Sequence, residues 1–330
     1  MKTYCTTIIL LVSVFLFFSC SGMTDRKSFT VATWNVQTFF DGKNDGCEYS
    51  QFLKNDRWNK EVYVERLKRL AASVKKIDAD IIVLEELENK KNLYDLYNFL
   101  AGEWDSSKVY RWACFAKEEH GAVGCGVLSR FPLYNMSVHS AAIQSENEGQ
   151  PSLRPLICVD VKIKDSEVTL AVNHWKSMSG GEEVTEKWRN RQESILEAAV
   201  SRNLLCKKNV IALGDFNRDL ENFCFYRNTG RVLLRRYENL MQSEEGTFVK
   251  TAWSHNGSLA EPGSYFYKEE WSCIDNIFYA GTLELQNFEP VCGEWCDKKT
   301  SVPKAFKLWN GSGYSDHLPL KAEFSIIDEL

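Results

Sequence analysis

The sequence predicts an α/β fold in which sheets pack face to face and helices lie outside. Three observations carry this. Strand-like apolar runs recur along the whole 330-residue chain. Some of them alternate apolar and polar residues, as a half-buried strand does, while others are apolar throughout, as a strand covered on both faces must be. Between them lie segments with helical spacing, so strands and helices are interleaved rather than segregated.

The runs appear in chain order as "FTVATWN" (29–35), "DIIVLEE" (80–86), "GCGVLSRFPL" (124–133), "ICVDVKI" (157–163), "VTLAVNHW" (168–175), "VIALGDFN" (210–217), "CIDNIFYA" (273–280) and "LKAEFSII" (320–327). A helix is predicted over 61–77, where Val64, Leu67, Leu70, Ala71, Val74 and Ile77 share one face and charges the other. A second runs from about Glu186 to Leu205, with Trp188, Ile195, Leu196, Ala199 and Val200 on its apolar side. No repeat, low-complexity tract or Pro/Gly/Ser-rich linker divides 28–327, which reads as one domain.

Ahead of it, residues 1–19 form a signal peptide: a lysine, an apolar run from Ile8 to Phe18 too short to span a bilayer, then Ser19-Cys20-Ser21-Gly22. The small residues around Cys20 resemble a bacterial lipoprotein cleavage box, in which the cysteine becomes the lipidated first residue. A plain secretory signal with an incidental cysteine is the alternative. Residues 20–27 would be a polar tether, which implies an exported globular domain anchored to a membrane by its N-terminal lipid.

A net charge of −5 argues against broad electrostatic capture of nucleic acid, although a bound divalent metal inverts the field locally at a phosphate. Of eleven cysteines, nine remain once Cys5 and Cys20 are set aside, an odd number. Cys292 and Cys296, with Cys273 nearby, are candidates for a staple, and their spacing has no partner at zinc-finger distance. The acidic loop "DGKNDGCE" (41–48) lacks the full calcium-loop pattern and reads as a solvated turn. Nothing points to a protein partner.

Several strands end alike. Asn35, Glu85-Glu86, Asn173-His174, Asp215 with Asn217, Asp275, and Asp316-His317 each close or open an apolar run. Such groups are costly to bury unpaired, so six occurrences across the chain predict strand ends converging on one site. Glu86, Asp316 and the Asn35 amide oxygen are hard donors that suit Mg²⁺ or Mn²⁺. His174 and His317 can hydrogen-bond a phosphate oxygen or move a proton near neutral pH. Asp215 can orient or deprotonate water, and Asn217 can hold charge developing on phosphorus. With no Gly-rich phosphate loop and no nucleophile motif, the inventory points to metal-assisted water attack on a phosphoester.

"ATWNVQ", "DIIVLEELEN", "NHWKS", "GDFN", "CIDNIF" and "SDHLPL", in that order, resemble the motif blocks of the endonuclease/exonuclease/phosphatase family, the deoxyribonuclease-I-like proteins. The resemblance implies a four-layer α/β/β/α sandwich with two central, mainly antiparallel sheets. It puts Glu86 on the metal-binding glutamate and His174 on the first catalytic histidine, and it implies that Asp275 hydrogen-bonds His317. Whether Asp215 or His317 takes the proton from water stays open.

Glu85 replaces the usual Gln, and strand alternation would send it to the face opposite Glu86. Arg154 is either a phosphate contact or half of a strand-end ion pair. The aromatics of "GSYFYKEEWSCID" read as a hairpin alternating between core and surface, with a base-stacking wall as the alternative. The expected activity is a nuclease acting on DNA or RNA. A sphingomyelinase-like phospholipid hydrolase or an inositol-phosphate hydrolase is the alternative, and a non-catalytic binding lipoprotein stands behind both.

Overall fold

The computed structural model describes residues 27–142, 150–223, 233–234, 248–255 and 258–327. The expected signal peptide, Cys20 and most of the expected tether lie outside them. Among the described residues no helix is long and apolar enough to cross a membrane.

Two sheets form the centre. The first contains β1 (Lys27–Phe39), β2 (Ile81–Leu87), β3 (Trp112–Ala116), β4 (Gly124–Ser129), β16 (Leu283–Pro290) and β17 (Leu320–Ile326), in the order β16-β17-β1-β2-β4-β3. The second contains β5 (Leu133–His139), β6 (Leu156–Ile163), β7 (Ser166–His174), β8 (Asn209–Asp215), β9 (Leu233–Leu234), β10 (Phe248–Thr251) and β15 (Asp275–Ala280), in the order β5-β6-β7-β8-β15-β10-β9. Two short hairpins complete the strand set: β11 (Ser254–His255) with β12 (Ser258–Leu259), and β13 (Tyr265–Tyr267) with β14 (Glu270–Ser272).

Pairing is mainly antiparallel. In the first sheet β1 and β2 run parallel; in the second β7 and β8 do, as do the short β9 and β10. A parallel pair needs a long crossover. Here the helix α2 (Lys60–Ile77) joins β1 to β2, and α4 (Glu182–Leu205) joins β7 to β8. A four-residue α1 (Ser50–Leu53) precedes α2, and α3 (Lys90–Glu103) follows β2. The pairs β1–β2 and β7–β8 therefore present C-terminal strand ends, and it is these ends that carry the polar residues.

Alternation on the strands builds the layers. Phe29 and Val31 of β1 and Ile81 and Val83 of β2 face the second sheet, in one core with Val159, Leu170, Leu213 and Ile277. Ala32, Trp34, Ile82 and Leu84 face outward beneath Leu67, Leu70 and Val74 of α2 and Leu93, Leu96 and Leu100 of α3. On the far side α4 lays Leu196, Val200 and Leu204 against the second sheet. The result is the α/β/β/α sandwich.

Three sequence expectations need correction. The run 124–133 is not one strand: β4 ends at Ser129 and β5 begins at Leu133 in the other sheet. Pro132, which has no N–H to offer a ladder, lies in the crossing. Helix α3 is an addition to the two expected helices. Its signal is Leu93, Leu96 and Leu100 at helical spacing behind Asn89, which closes a capping box with Asn92. Finally, Trp188 is not on the buried face of α4, whose first half buries Thr185, Arg189, Gln192 and Glu193 instead. That half stands over strand ends and loops, where polar groups must be bonded, and only the second half covers apolar strand.

Cys292 and Cys296 form a disulfide. It closes the turn that buries Trp295, whose ring lies 5.7 Å from that of Trp34.

Candidate active site

Strand register assembles the site. His174 on β7 pairs with Asp215 on β8, and Asp215 pairs with Asp275 on β15, so three polar residues stand abreast across adjacent strands. Opposite them, Asn35 of β1 pairs with Glu85 of β2 in the other sheet. The approach of β7 and β8 requires Gly214. It has φ 131°, and an added Cβ would lie 1.9 Å from the carbonyl oxygen of Asn173.

Asn35 bridges the two sheets, its Nδ2 donating to Asp215 Oδ2 at 2.9 Å and to Glu86 Oε1 at 3.2 Å. The Gln37 N–H donates to Asn35 Oδ1 at 2.9 Å. Asn35 was expected to offer its amide oxygen to a metal. That oxygen accepts from the Gln37 N–H, and the NH₂ donates to the two carboxylates.

Glu86 reaches the site because a bulge places it at φ 65°, and the Thr38 N–H donates to its Oε2 at 2.5 Å. The same bulge overturns the expectation for Glu85. Glu85 continues the face of Ile81 and Val83 and points between the sheets, where it is fully buried and accepts from the Thr33 hydroxyl at 2.5 Å, and the bulge brings Glu86 round to the same side. Burial raises its carboxyl pKa well above the usual range, and Asp275 and Asp215 add to the rise. Its Oε2 has no partner among the described residues.

Asp215 is buried and bonded on both oxygens: Asn217 N donates to Oδ1 at 2.8 Å, and Asn217 Nδ2 and Asn35 Nδ2 donate to Oδ2 at 3.0 and 2.9 Å. Asn217 can double back in this way because it sits at φ 46°, a region asparagine tolerates. Burial, reinforced by the charge of Asp275, pushes the Asp215 pKa up to about 7.

His174 Nε2 lies 3.7 Å from both Glu86 Oε1 and Asp215 Oδ2. Its pKa is nonetheless lowered well below the ordinary value, first by burial and then by Arg154 and His317. His317 moves the other way. Burial alone would depress it, but the charges of Asp275, Asp316 and Asp215 and the 2.7 Å bond from Nδ1 to Asp275 Oδ2 raise it well above 6.5. Its Nε2 lies 3.9 Å from Asp316 Oδ1, on the side away from Asp275. Ligand atoms of Asp215, Asp275 and His317 all fall within 4.8 Å of one another.

Arg154 lies beside His174, donates to the Trp175 carbonyl and keeps its Nε without a partner. It makes no carboxylate pair among the described residues.

Several supporting residues were not anticipated. Arg66, buried on α2, donates to the carbonyls of Val36 (2.7 Å), Gln37 and Thr38 (2.9 Å), holding the left-handed Gln37-Thr38 turn that serves Glu86. Its clue is position: Arg66 lies on the apolar face of α2 beside Tyr63, Leu67 and Leu70. Arg218, directly after Asn217, is buried against Glu186 and Glu193 of α4. Trp34 Nε1 donates to the His317 carbonyl at 3.0 Å, and the Ser315 hydroxyl donates to the Asn35 carbonyl at 2.6 Å. A large surface cleft lies elsewhere, between α4 and the strands β5 to β7, and no residue of this site lines it.

The donor set fits a divalent cation. Glu86 and Asp316 are carboxylates whose side chains keep 18% and 33% of their surface open. The Asp316 pKa is raised by burial, and Glu86 and Asp275 contribute to the rise despite the opposing charge of His317. Crowded anions facing an opening are what a hard cation relieves.

The sequence profile of the Endonuclease/Exonuclease/phosphatase family matches residues 30–291. No curated protein sequence matches the chain. Among solved structures, truncated Caenorhabditis elegans TDP2 superposes with a TM-score of 0.55 at 18% identity, covering 90% of this chain and 97% of that one. The human Nocturnin catalytic domain gives 0.56 at 18% identity, over 92% and 96%. A Bacteroides thetaiotaomicron endonuclease/exonuclease/phosphatase family protein gives 0.55 at 15% identity, over 92% and 99%. At these identities the superpositions establish the shared fold. With the profile match over most of its length, the chain belongs to the endonuclease/exonuclease/phosphatase family, whose members are phosphoester hydrolases that generally depend on a divalent metal.

Proposed function

We propose that the protein is a Mg²⁺- or Mn²⁺-dependent phosphodiesterase that cuts DNA or RNA by direct attack of water, exported and anchored through a lipid on Cys20. One observation carries the catalytic part: the chain of contacts from Glu86 through Asn35 and Asp215, with His174 beside it, to the Asp275–His317 pair. These groups come from both sheets, and a polypeptide has no structural need to gather so many buried charges at one point.

Glu86 and Asp316 would hold the cation, which supplies charge neutralisation at the phosphate. His317, kept protonated by Asp275, donates from Nε2 to a phosphate oxygen. Asp275 fixes the tautomer by occupying Nδ1. His174 stays neutral and donates a hydrogen bond without adding charge. Asp215 titrates near neutrality and takes the proton of the attacking water, while Asn217 keeps its carboxylate oriented. Arg154, with its partnerless Nε, meets a non-bridging oxygen.

The test is direct. With Mg²⁺ the mature chain nicks supercoiled plasmid, and Asp215→Ala and His317→Ala abolish nicking. Intact plasmid together with hydrolysis of sphingomyelin or inositol phosphates would refute the nuclease assignment, and inertness on every phosphoester with any divalent metal would refute catalysis. For the anchor, Cys20→Ser releases the protein from membranes; retention of the variant there rules out lipidation at Cys20.

A further inference from the structure

The hairpin of β13 and β14 stands beside the site and has two unlike faces. Phe266 pairs with Trp271 across it at 5.1 Å, and Trp271 packs on the core beneath α2 and α3. Tyr265 and Tyr267 occupy the opposite face, 6.2 Å apart and 21° from parallel. Tyr265 in turn lies 4.7 Å from the His317 ring. An aromatic row thus runs outward from a catalytic imidazole, and its outer member, Tyr267, is 58% exposed.

The row is fixed at its base. The Asp275 N–H donates to the Ser264 hydroxyl at 3.1 Å, and the Leu318 N–H donates to the Ser264 carbonyl at 2.7 Å. Tyr265 also bridges to His317 through the backbone. The hairpin is therefore held by the same residues that carry the Asp275–His317 pair, and the distance from His317 to the tyrosines is set by backbone.

We infer that Tyr265 and Tyr267 form a stacking platform for a nucleobase next to the scissile phosphate, so that the substrate class is a nucleotidyl phosphodiester. The inference rests on the hydrolase assignment proposed above. Tyr265 is half-buried between His317 and Tyr267, and Tyr267 is the exposed member, so a planar heterocycle can extend the row at its outer end; base stacking on aromatic rings is tolerant of sequence. The hairpin tip separates this from a lipid-directed role. Lys268 and Glu269 form the turn at φ 49° and 67°, so its end is charged where insertion into a bilayer would call for apolar side chains. Lys268 Nζ lies 5.2 Å from the Tyr267 ring, where a cation also suits a polyanionic strand.

The experiment compares short single-stranded oligonucleotides that carry either normal bases or tetrahydrofuran abasic residues flanking the cleaved bond. For the full mature enzyme with Mg²⁺, abasic substitution raises KM about tenfold or more, the scale of one lost stacking contact. Tyr267→Ala raises KM on the normal substrate by a similar factor with kcat within twofold, and abasic substitution then adds no further loss. Tyr267→Phe restores wild-type KM, because the ring face is kept. Cleavage of both oligonucleotides with equal KM, or a Tyr267→Ala enzyme that still discriminates them, overturns the platform while leaving the nuclease assignment intact. Wild-type enzyme that leaves every oligonucleotide whole but hydrolyses sphingomyelin vesicles overturns both.

Discussion

Arg66 is the most informative single residue to perturb, because its hydrogen bonds go to backbone carbonyls and support the turn that serves the site. Its guanidinium binds the backbone carbonyls of Val36, Gln37 and Thr38, reaches that of Tyr314 at 3.5 Å, and lies over the Phe306 ring at 3.6 Å. Hydrogen bonds to a charged donor contribute about 1.5–3 kcal/mol each, and the cation–π contact adds roughly 1 kcal/mol. Because the bonds share one donor group they do not add fully, and Arg66→Met, which strands the carbonyls, should cost about 4–6 kcal/mol. Arg66→Lys keeps the charge but not the planar fork, and about half that loss is expected. Urea unfolding followed by fluorescence measures both. Mg²⁺ titration by calorimetry supplies the functional arm: the freed Thr38 N–H no longer orients Glu86, and affinity falls about tenfold, within the range for an outer partner of a metal ligand. A Met variant within about 1 kcal/mol of wild type, with unchanged Mg²⁺ affinity, would refute the argument.

Three further outcomes follow from the geometry. Gly214→Ala should lower stability by more than about 3 kcal/mol, because its Cβ would stand 1.9 Å from a backbone oxygen; a melting temperature within a few degrees of wild type would contradict this. Asp275→Asn should leave the melt near wild type while cutting kcat by about 10²–10⁴, since the amide oxygen of the variant can accept from His317 Nδ1 but cannot balance its charge; a change confined to KM would count against the pairing. Glu88 is pushed up to about 7 by burial, helped by the charges of Asp41, Asp45 and Glu48. A carboxyl raised in the folded state favours folding fully below its unfolded pKa, and that contribution is lost as pH rises through about 7. Between pH 4.5 and 8 this one group should remove up to ~3 kcal/mol, and Glu88→Gln should flatten that part of the pH profile in urea titrations; parallel profiles would exclude it.

The strand ends were readable because burying a carboxylate, an amide or an imidazole at the end of an apolar run needs a reason, and residue type alone flags the exception. Asp215, Asp275 and His317 could be named from that grammar. What escaped was whatever depends on backbone departing from its period. Glu85 and Glu86 were expected on opposite faces; Glu85 keeps the face of Ile81 and Val83, and the bulge that brings Glu86 to the same side has no residue signature. The orientation of the Asn35 amide depended on the Gln37 N–H, whose left-handed turn is enforced by an arginine 29 positions away in sequence. The split of 124–133 between two sheets is a tertiary event, with Pro132 its only local trace.

The parallel pairs β1–β2 and β7–β8 have one more consequence. Glu86 and Asn35 belong to one sheet, His174, Asp215 and Asp275 to the other, and what separates the two groups is the thickness of the apolar layer between the sheets. Val31, Val83, Leu170 and Leu213 therefore act as spacers, and their volume sets the gauge of the catalytic gap. Trimming one of them by a methylene lets the sheets settle closer or slide, and reactivity that depends on tenths of an ångström would register the change before stability does. In this fold the calibration of the chemistry is stored in hydrocarbon.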